Sequence, residues 1–233
     1  MMKKLFLFLV LFSNTIFSQT KEDVERDFDA PDSLYREDQF YFNISYSSLQ
    51  NQPSGFRQNK FSPSLSLGFV RDMPINKNRT FAFATGIGYT ISAYNHNLVI
   101  DPNNGNLDYS LIGNDVVYSK DKLSIHTIDL PIEIRWRNST PDSHKFWRIY
   151  GGFKLSYKVF NRYKFVADTG TIKLSNIEDI NKFLFGTYLS VGWNTVNFYA
   201  YYGLNPLFKS SAKIDGKTVD LNALHFGLMF YIL

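Results

Sequence analysis

Apolar and polar side chains alternate at every second position in eight segments of this chain, which together cover most of it from residue 40 onward. In the first segment, Phe40, Phe42 and Ile44 alternate with Tyr41 and Asn43. A period of two is typical of a β-strand that has one apolar and one polar face. Each segment has about 10 residues, which is the length that a tilted strand needs to cross a bilayer. The pattern therefore predicts an all-β protein, either a membrane barrel or a soluble one.

The segments are joined by connectors that are alternately long and short. The segments lie at about 40–49, 61–71, 80–93, 124–137, 146–160, 183–193, 197–205 and 222–233. The long connectors lie at about 50–60, 94–123, 161–182 and 206–221, and the short ones at about 72–79, 138–145 and 194–196. Outer-membrane barrels have short periplasmic turns and long outer loops. We therefore expect an eight-stranded antiparallel up-and-down transmembrane β-barrel over 39–233, with both chain ends in the periplasm.

Two features favour a membrane barrel over a soluble barrel. The polar face carries many small side chains, among them Ala82, Ala84, Gly86 and Gly88, which suit the narrow lumen of a small barrel. The second feature is the placement of tryptophan. The three that the chain contains are predicted to lie on the apolar face beside short turns, as a periplasmic aromatic girdle at the lipid–water boundary: Trp136, Trp147 and Trp193.

The N-terminal region has the composition of a targeting segment followed by a polar one. Residues 1–18 combine the basic pair Lys3 and Lys4 with a short apolar stretch and a small residue, Ser18, which predicts a secretory signal peptide. Residues 19–38 are rich in Asp and Glu and lack periodicity, so we expect a flexible periplasmic segment that could dock a partner. We expect the mature protein in the outer membrane.

Three stretches carry a resemblance to a known family. They are the segment from Ile128 to Arg135 (IDLPIEIR), the Gly151–Gly152–Phe153 stretch, and the terminal strand around His225, which is similar to the C-terminal β-signal of outer-membrane proteins. In these stretches, and over about 39–233, the chain resembles the PorT-like small outer-membrane β-barrel proteins of Gram-negative bacteria. The resemblance implies a porin-family barrel, and for some members it implies a link to a protein secretion system.

Charged residues on the polar face predict a network inside the barrel. If the turn at 138–145 placed Trp136 opposite Trp147, the opposed pairs would be Asp129 with Lys154, Glu133 with Tyr150, and Arg135 with Arg148. We therefore predict an Asp129–Lys154 pair and a Glu133–Arg135–Arg148 cluster that satisfies buried charge. A ligand or ion path through these residues is the alternative. Pro131 predicts a bulge or a missing hydrogen bond in the middle of its strand.

The composition indicates few chemical functions. The chain has no cysteine, and its formal net charge of +4 is too small to suggest a nucleic-acid partner. We expect no metal and no cofactor. His126 with Ser124 is the candidate pair for an outer-leaflet lipid-modifying enzyme, but we expect no enzyme.

Outer-membrane lipids are expected partners. In one alternative, a larger outer-membrane complex is a further partner. The leading interpretation is a structural or surface barrel with a closed lumen that is not a channel; the alternative is an accessory subunit of a secretion or assembly machine.

Overall fold

The computed structural model describes residues 38–58, 60–103, 105–113, 116–138, 146–168 and 170–232. The predicted signal peptide and all of the acidic segment except Asp38 lie outside the described residues. Asp38 accepts a hydrogen bond from the backbone N–H of Asp72, at 2.8 Å. No helix in the described part of the chain is long and apolar enough to cross a membrane.

The described residues form strands that we number in chain order. They are β1 (Gln39–Gln50), β2 (Pro63–Pro74), β3 (Phe81–Asn95), β4 (Leu98–Asn103), β5 (Asn106–Leu111), β6 (Tyr118–Arg137), β7 (Trp147–Ala167), β8 (Gly170–Ser175), β9 (Phe183–Trp193), β10 (Val196–Gly203), β11 (Lys213–Ile214), β12 (Lys217–Thr218) and β13 (Asn222–Ile232).

Eight of these strands close into a barrel. The hydrogen-bonded order is β6-β3-β2-β1-β13-β10-β9-β7, and β6 also pairs with β7, which completes the ring. Every pairing in the ring is antiparallel. The predicted eight-stranded antiparallel barrel is confirmed. Closure gives each strand two neighbours, so the barrel has no open edge in the membrane.

Two strands are longer than the sequence pattern predicted. The fourth barrel strand, β6, begins at Tyr118 and not near residue 124, and the fifth, β7, continues to Ala167 and not to about 160. The expected loops at 94–123 and 161–182 therefore contain strand, including the β4–β5 hairpin and β8. The reason is that lysine, arginine and serine occupy outward positions there, so the alternation no longer has a lipid-facing apolar side.

The register between β6 and β7 differs from the predicted one by two residues. Trp136 lies opposite Ile149, and Trp147 lies opposite Trp193 on β9, so the expected pairing of Trp136 with Trp147 is wrong. Arg137, not Arg135, faces Arg148. The length of the connecting turn sets the register, and the sequence did not define it. A slip of two residues keeps every side chain on its own face, which is why the inward and outward assignments hold.

Pro131 interrupts one of its two ladders. Towards β7 it lies in regular register opposite Lys154. Towards β3, the paired residues stop at Thr85 and resume at Gly88, which leaves a gap opposite Pro131. The predicted missing hydrogen bond therefore lies on the β3 side, because proline has no N–H to donate. The nearest bulge lies further along and belongs to the neighbouring strand β7: Val159 has no partner in the β6–β7 ladder, because Lys158 lies opposite Thr127 and Phe160 lies opposite His126.

The two ends of the barrel differ in construction. The turn end carries the three tryptophans: Trp147 and Trp193 are exposed on the outer wall and Trp136 is half-buried beside Phe81. The other end carries what we call the loop crown, the described residues of 51–58, 96–113, 168–182 and 204–221. Its buried apolar side chains belong to one core cluster with the inner wall of the barrel; they include Leu98, Ile100, Ile112, Ile177, Ile180, Phe208 and Val219.

Candidate functional site

The barrel interior holds a group of charged side chains that we call the lumenal cluster. Its members come from β2, β6 and β7, and each is at least nine-tenths buried as a residue: Asp72, Asp129, Glu133, Arg135, Arg137, Arg148 and Lys154. They face inward because they alternate along their strands with lipid-facing residues. Burying charge costs free energy unless the charges are paired and hydrogen-bonded, so their contacts decide what the cluster does.

Asp72 is the anion of the turn end. Its two carboxylate oxygens accept bonds from Arg137 Nη1 and Nη2 at 2.9 and 2.8 Å, and Oδ1 also accepts from Arg135 Nη1 at 3.2 Å. Sequence reasoning missed Asp72 because it placed residues 72–79 in a short turn. The signal that could have found it is that Asp72 continues the inward positions Gly68 and Val70 of the same strand.

Glu133 is the second anion, and it joins two strands across the lumen. Its Oε2 accepts from Arg135 Nε at 2.7 Å, and its Oε1 accepts from the Tyr188 hydroxyl at 2.7 Å. The Arg135 guanidinium also lies 4.5 Å from the centre of the Tyr150 ring. These bonds and the aromatic ring offset part of the cost of burying a guanidinium and a carboxylate away from solvent.

Asp129 and Lys154 lie further towards the loop crown. Lys154 Nζ is 3.8 Å from Asp129 Oδ2 and 4.5 Å from the centre of the Tyr201 ring. Asp129 also accepts hydrogen bonds from the hydroxyls of Thr127 and Thr90. The two residues are diagonal neighbours, because Lys154 is opposite Pro131 in the register.

Arg148 lies apart from the rest of the predicted cluster. Its guanidinium stacks 4.5 Å from the Phe146 ring centre, and its Nε and Nη1 atoms are buried without a hydrogen-bond partner. Within the described residues it forms no ion pair, so the structure brings together Glu133 and Arg135 but not Arg148. Its cross-strand neighbour Arg137 takes the carboxylate of Asp72 instead.

The space left inside the barrel is small. One cavity of about 30 Å³ is lined by Lys154, His225 and Tyr94 among others, and a second of about 10 Å³ lies beside Glu133 and Tyr199. A single water needs roughly 10–15 Å³ by the same measure. Glycines make room for the side chains that fill the rest: a Cβ atom on Gly88 would lie 1.9 Å from the Tyr41 hydroxyl.

The candidate rim pair of an enzyme has no acid beside it in the described residues. His126 Nδ1 is 2.9 Å from the Tyr89 hydroxyl, and the His126 ring packs edge-on against Phe160, with 5.4 Å between ring centres. Ser124 lies opposite Ala93 and Arg162. No described carboxylate is hydrogen-bonded to His126. Among the described residues no group of three or more His, Cys, Asp or Glu side chains is arranged to hold a metal ion.

The loop crown is held by buried polar contacts. Asn97, Asn161 and Asn181 use their side-chain amides to bind the backbone of neighbouring loops. The Tyr109 hydroxyl donates to Asp179 at 2.8 Å, and burial together with that carboxylate raises the pKa of Tyr109. Asp121 lies 3.3 Å from His96 at the base of the crown, where burial raises the pKa of Asp121. The long connectors are therefore an ordered surface over the residues described.

Comparisons with solved structures give distant similarities. The chain is similar to the attachment invasion locus protein Ail of Yersinia pestis, which was solved in complex with the heparin analogue sucrose octasulfate. The identity is 11% and the TM-score 0.41, over 85% of this chain and 99% of Ail. A second structure, described as concerning the asymmetric conductivity of engineered proteins, has 8% identity and a TM-score of 0.15, over 85% of this chain and 100% of its own. No curated protein matches the chain.

The family comparison covers most of the sequence. Residues 17–209 match the family described as the outer membrane protein beta-barrel domain. The matched range contains seven of the eight barrel strands, and the eighth, β13, lies beyond it. The chain therefore belongs to the outer membrane protein beta-barrel domain family and is a barrel of the outer membrane.

Proposed function

We propose that this protein is a non-conducting surface barrel: its lumen is closed by its own side chains, and its loop crown is the functional face outside the cell. The short-turn end, with both chain termini, lies in the periplasm. The lipids of the outer membrane surround the wall. The observation that carries the proposal is the small free volume inside the barrel, about 30 and 10 Å³ in the two lumenal cavities.

The lumenal cluster supports a closed lumen because it spans the interior. Asp72 on β2 binds arginines of β6, and Glu133 on β6 binds Tyr188 of β9, so ion pairs and hydrogen bonds cross between strands that are not neighbours. An eight-stranded barrel is just wide enough for its own side chains. Ions would have to break these contacts to pass. We therefore assign the cluster to stability and not to transport.

The loop crown supports a surface function because its long connectors have defined secondary structure and buried polar contacts. Its strands and buried amides hold a fixed arrangement of backbone and side chains above the barrel. A fixed surface needs less ordering on binding than a flexible loop, which favours recognition. We propose no catalysis, since His126 is hydrogen-bonded to Tyr89 and lacks an acid partner among the described residues.

Conductance of the refolded protein in planar lipid bilayers tests the closed lumen. We expect no stable current steps for the wild-type protein. The variant Glu133→Ala with Arg135→Ala removes the central pair and should allow small, noisy steps, because the space of two long side chains becomes water. Discrete steps of uniform size from the wild-type protein would contradict the proposal.

The second candidate function is that of an accessory subunit of an outer-membrane secretion or assembly machine. The observation that favours it is the resemblance to PorT-like proteins in the stretches Ile128–Arg135 and Gly151–Phe153, together with an acidic segment on the side of the termini. Gentle solubilisation of the outer membrane and purification through a tag in the loop crown tests it. A stoichiometric large partner that is lost when residues 19–37 are deleted would support the accessory function.

A further inference from the structure

A row of basic side chains crosses the outer face of the wall that β6, β7 and β8 build beside the loop crown. Lys122 lies opposite Lys164, and Lys164 lies opposite Lys173. Arg162 is on the same face, two residues nearer the membrane on β7. We call these four residues the basic wall. Its side chains point outward, because the alternate residues Leu123, Tyr163 and Phe165 are buried on the inner side.

The basic wall costs stability in the isolated protein. Like charges directly opposite one another on neighbouring strands repel. In the described residues, none of the four cations forms an ion pair with a carboxylate. By contrast, the cations inside the barrel are paired with carboxylates in all cases but Arg148: Arg135 and Arg137 by hydrogen bonds, and Lys154 by an ion pair with Asp129. A row of unpaired cations on one face indicates an anionic partner outside the chain.

The height of the basic wall identifies where that partner lies. Trp136 and His126 are both on the outer face of β6, and their separation of ten residues corresponds to about 25 Å along the barrel axis for a tilted strand. The apolar band of an outer-membrane barrel is also about 25 Å tall. With Trp136 at one boundary, His126 and Tyr89 are at the other. Arg162 and Lys122 lie roughly 5–10 Å further on, at the depth of lipid headgroups.

We propose that the basic wall binds the phosphate groups of lipids in the leaflet at the loop-crown end. β6 and β7 run from the lipid-facing wall into the basic wall as the same strands, and lysine side chains are long enough to reach back towards the headgroup plane. Hydroxyl groups beside the cations add hydrogen-bond donors for phosphate oxygens: Ser124 and Ser175 lie opposite Arg162, and Thr171 is two residues from Lys173 on β8. The partner is thus a phosphorylated lipid held at one fixed side of the barrel.

Titration of lipid A into the detergent-solubilised full-length protein, read by native mass spectrometry, tests the proposal. Lipid A carries phosphate on a lipid anchor. The variant Lys122→Gln/Lys164→Gln/Lys173→Gln should bind it about a hundredfold more weakly, since each lysine contributes roughly a factor of five at an anionic surface. The matched control Lys209→Gln/Lys213→Gln/Lys217→Gln removes three exposed lysines elsewhere in the loop crown and should bind like the wild-type protein.

Each other outcome overturns the proposal. Unchanged affinity in the first variant means that the basic wall is not the site, and equal losses in both variants mean unspecific attraction. Complete competition by inorganic phosphate or by a soluble sulfated sugar means that the ligand is a soluble anion. Single replacement of Arg162 by Gln, with a smaller expected loss of about fivefold, gives the same test if the triple variant does not fold.

The inference rests on the proposed orientation, because that decides which leaflet supplies the lipid. Lipid binding by the basic wall and the proposed function can be disproved by different experiments. Labelling of the variant Asp215→Cys on intact cells by a membrane-impermeant reagent reports the orientation, whatever binds to the basic wall. Conductance reports the lumen alone.

Discussion

Asp72 and Arg137 form a two-point ion pair inside the barrel, with oxygen–nitrogen distances of 2.9 and 2.8 Å and both side chains fully buried. The pair joins β2 to β6 across the intervening strand β3. A buried bidentate pair is costly to break, because removing one partner leaves the other charge without compensation. This relationship makes the turn end of the barrel the place where single substitutions should matter most.

Asp72→Asn should lower the free energy of unfolding by about 3–5 kcal/mol, since two arginines then lose their shared carboxylate. Urea unfolding in lipid vesicles, followed by tryptophan fluorescence, measures this change. Asp215→Asn is the control: Asp215 is exposed and has a left-handed backbone that asparagine also tolerates. An equal effect of the two substitutions would show that the ion pair adds nothing.

Arg137 and Arg148 face each other on β6 and β7 but should respond differently to replacement by methionine. Arg137→Met leaves Asp72 buried with fewer partners and should cost about 3–5 kcal/mol. Arg148→Met removes a buried cation whose Nε and Nη1 have no partner, so stability should be unchanged or higher. Heat-modifiable gel migration ranks the two variants. A larger loss for Arg148→Met than for Arg137→Met would be the contrary result.

Glu133 and Tyr188 should be energetically coupled because they share a 2.7 Å hydrogen bond. We expect Glu133→Gln to lower the unfolding temperature clearly, and Tyr188→Phe to lower it less. The double variant should fall short of the sum by about 0.5–3 kcal/mol in the free energy of unfolding. Strict additivity would mean that the bond does not contribute.

Gly88→Ala should destabilise the barrel by about 1–3 kcal/mol, because the added methyl group meets the Tyr41 hydroxyl. Combining it with Tyr41→Phe removes the clashing oxygen and should recover part of the loss. Gly151→Ala is the control, since its new Cβ would make ordinary contacts at 3.6 and 3.7 Å. The measurement is the urea midpoint of unfolding of the wild-type protein and these three variants in the same vesicles. A midpoint for Gly88→Ala equal to that of Gly151→Ala would contradict the predicted clash.

The alternation of side chains was enough to predict the barrel, because lipid on one side and a narrow lumen on the other require opposite residue types on the two faces. Phe83 and Ala84 illustrate this: the first is exposed on the wall and the second is buried. The same rule could not predict register. Register depends on turn geometry, and a slip of two residues between β6 and β7 leaves the pattern unchanged.

The partners inside the lumen were harder to predict than the faces. Asp129 and Lys154 could be placed on neighbouring strands from sequence, and they are diagonal neighbours 3.8 Å apart. Asp72 could not be placed, because its contact with Arg137 spans 65 positions in the chain and crosses β3. Contacts across the lumen depend on the register of every strand pair around the barrel, and a local sequence pattern does not determine that register.

The unequal strand lengths give the barrel an uneven rim. β6 and β7 have 20 and 21 residues, whereas β1 and β13, on the opposite side of the ring, have 12 and 11. At about 3.3 Å per residue, the excess raises one side well above the other. The β-sheet therefore extends further from the short turns on the β6–β7 side than on the β1–β13 side, so a large molecule that approaches from the β6–β7 side meets strand and not loop.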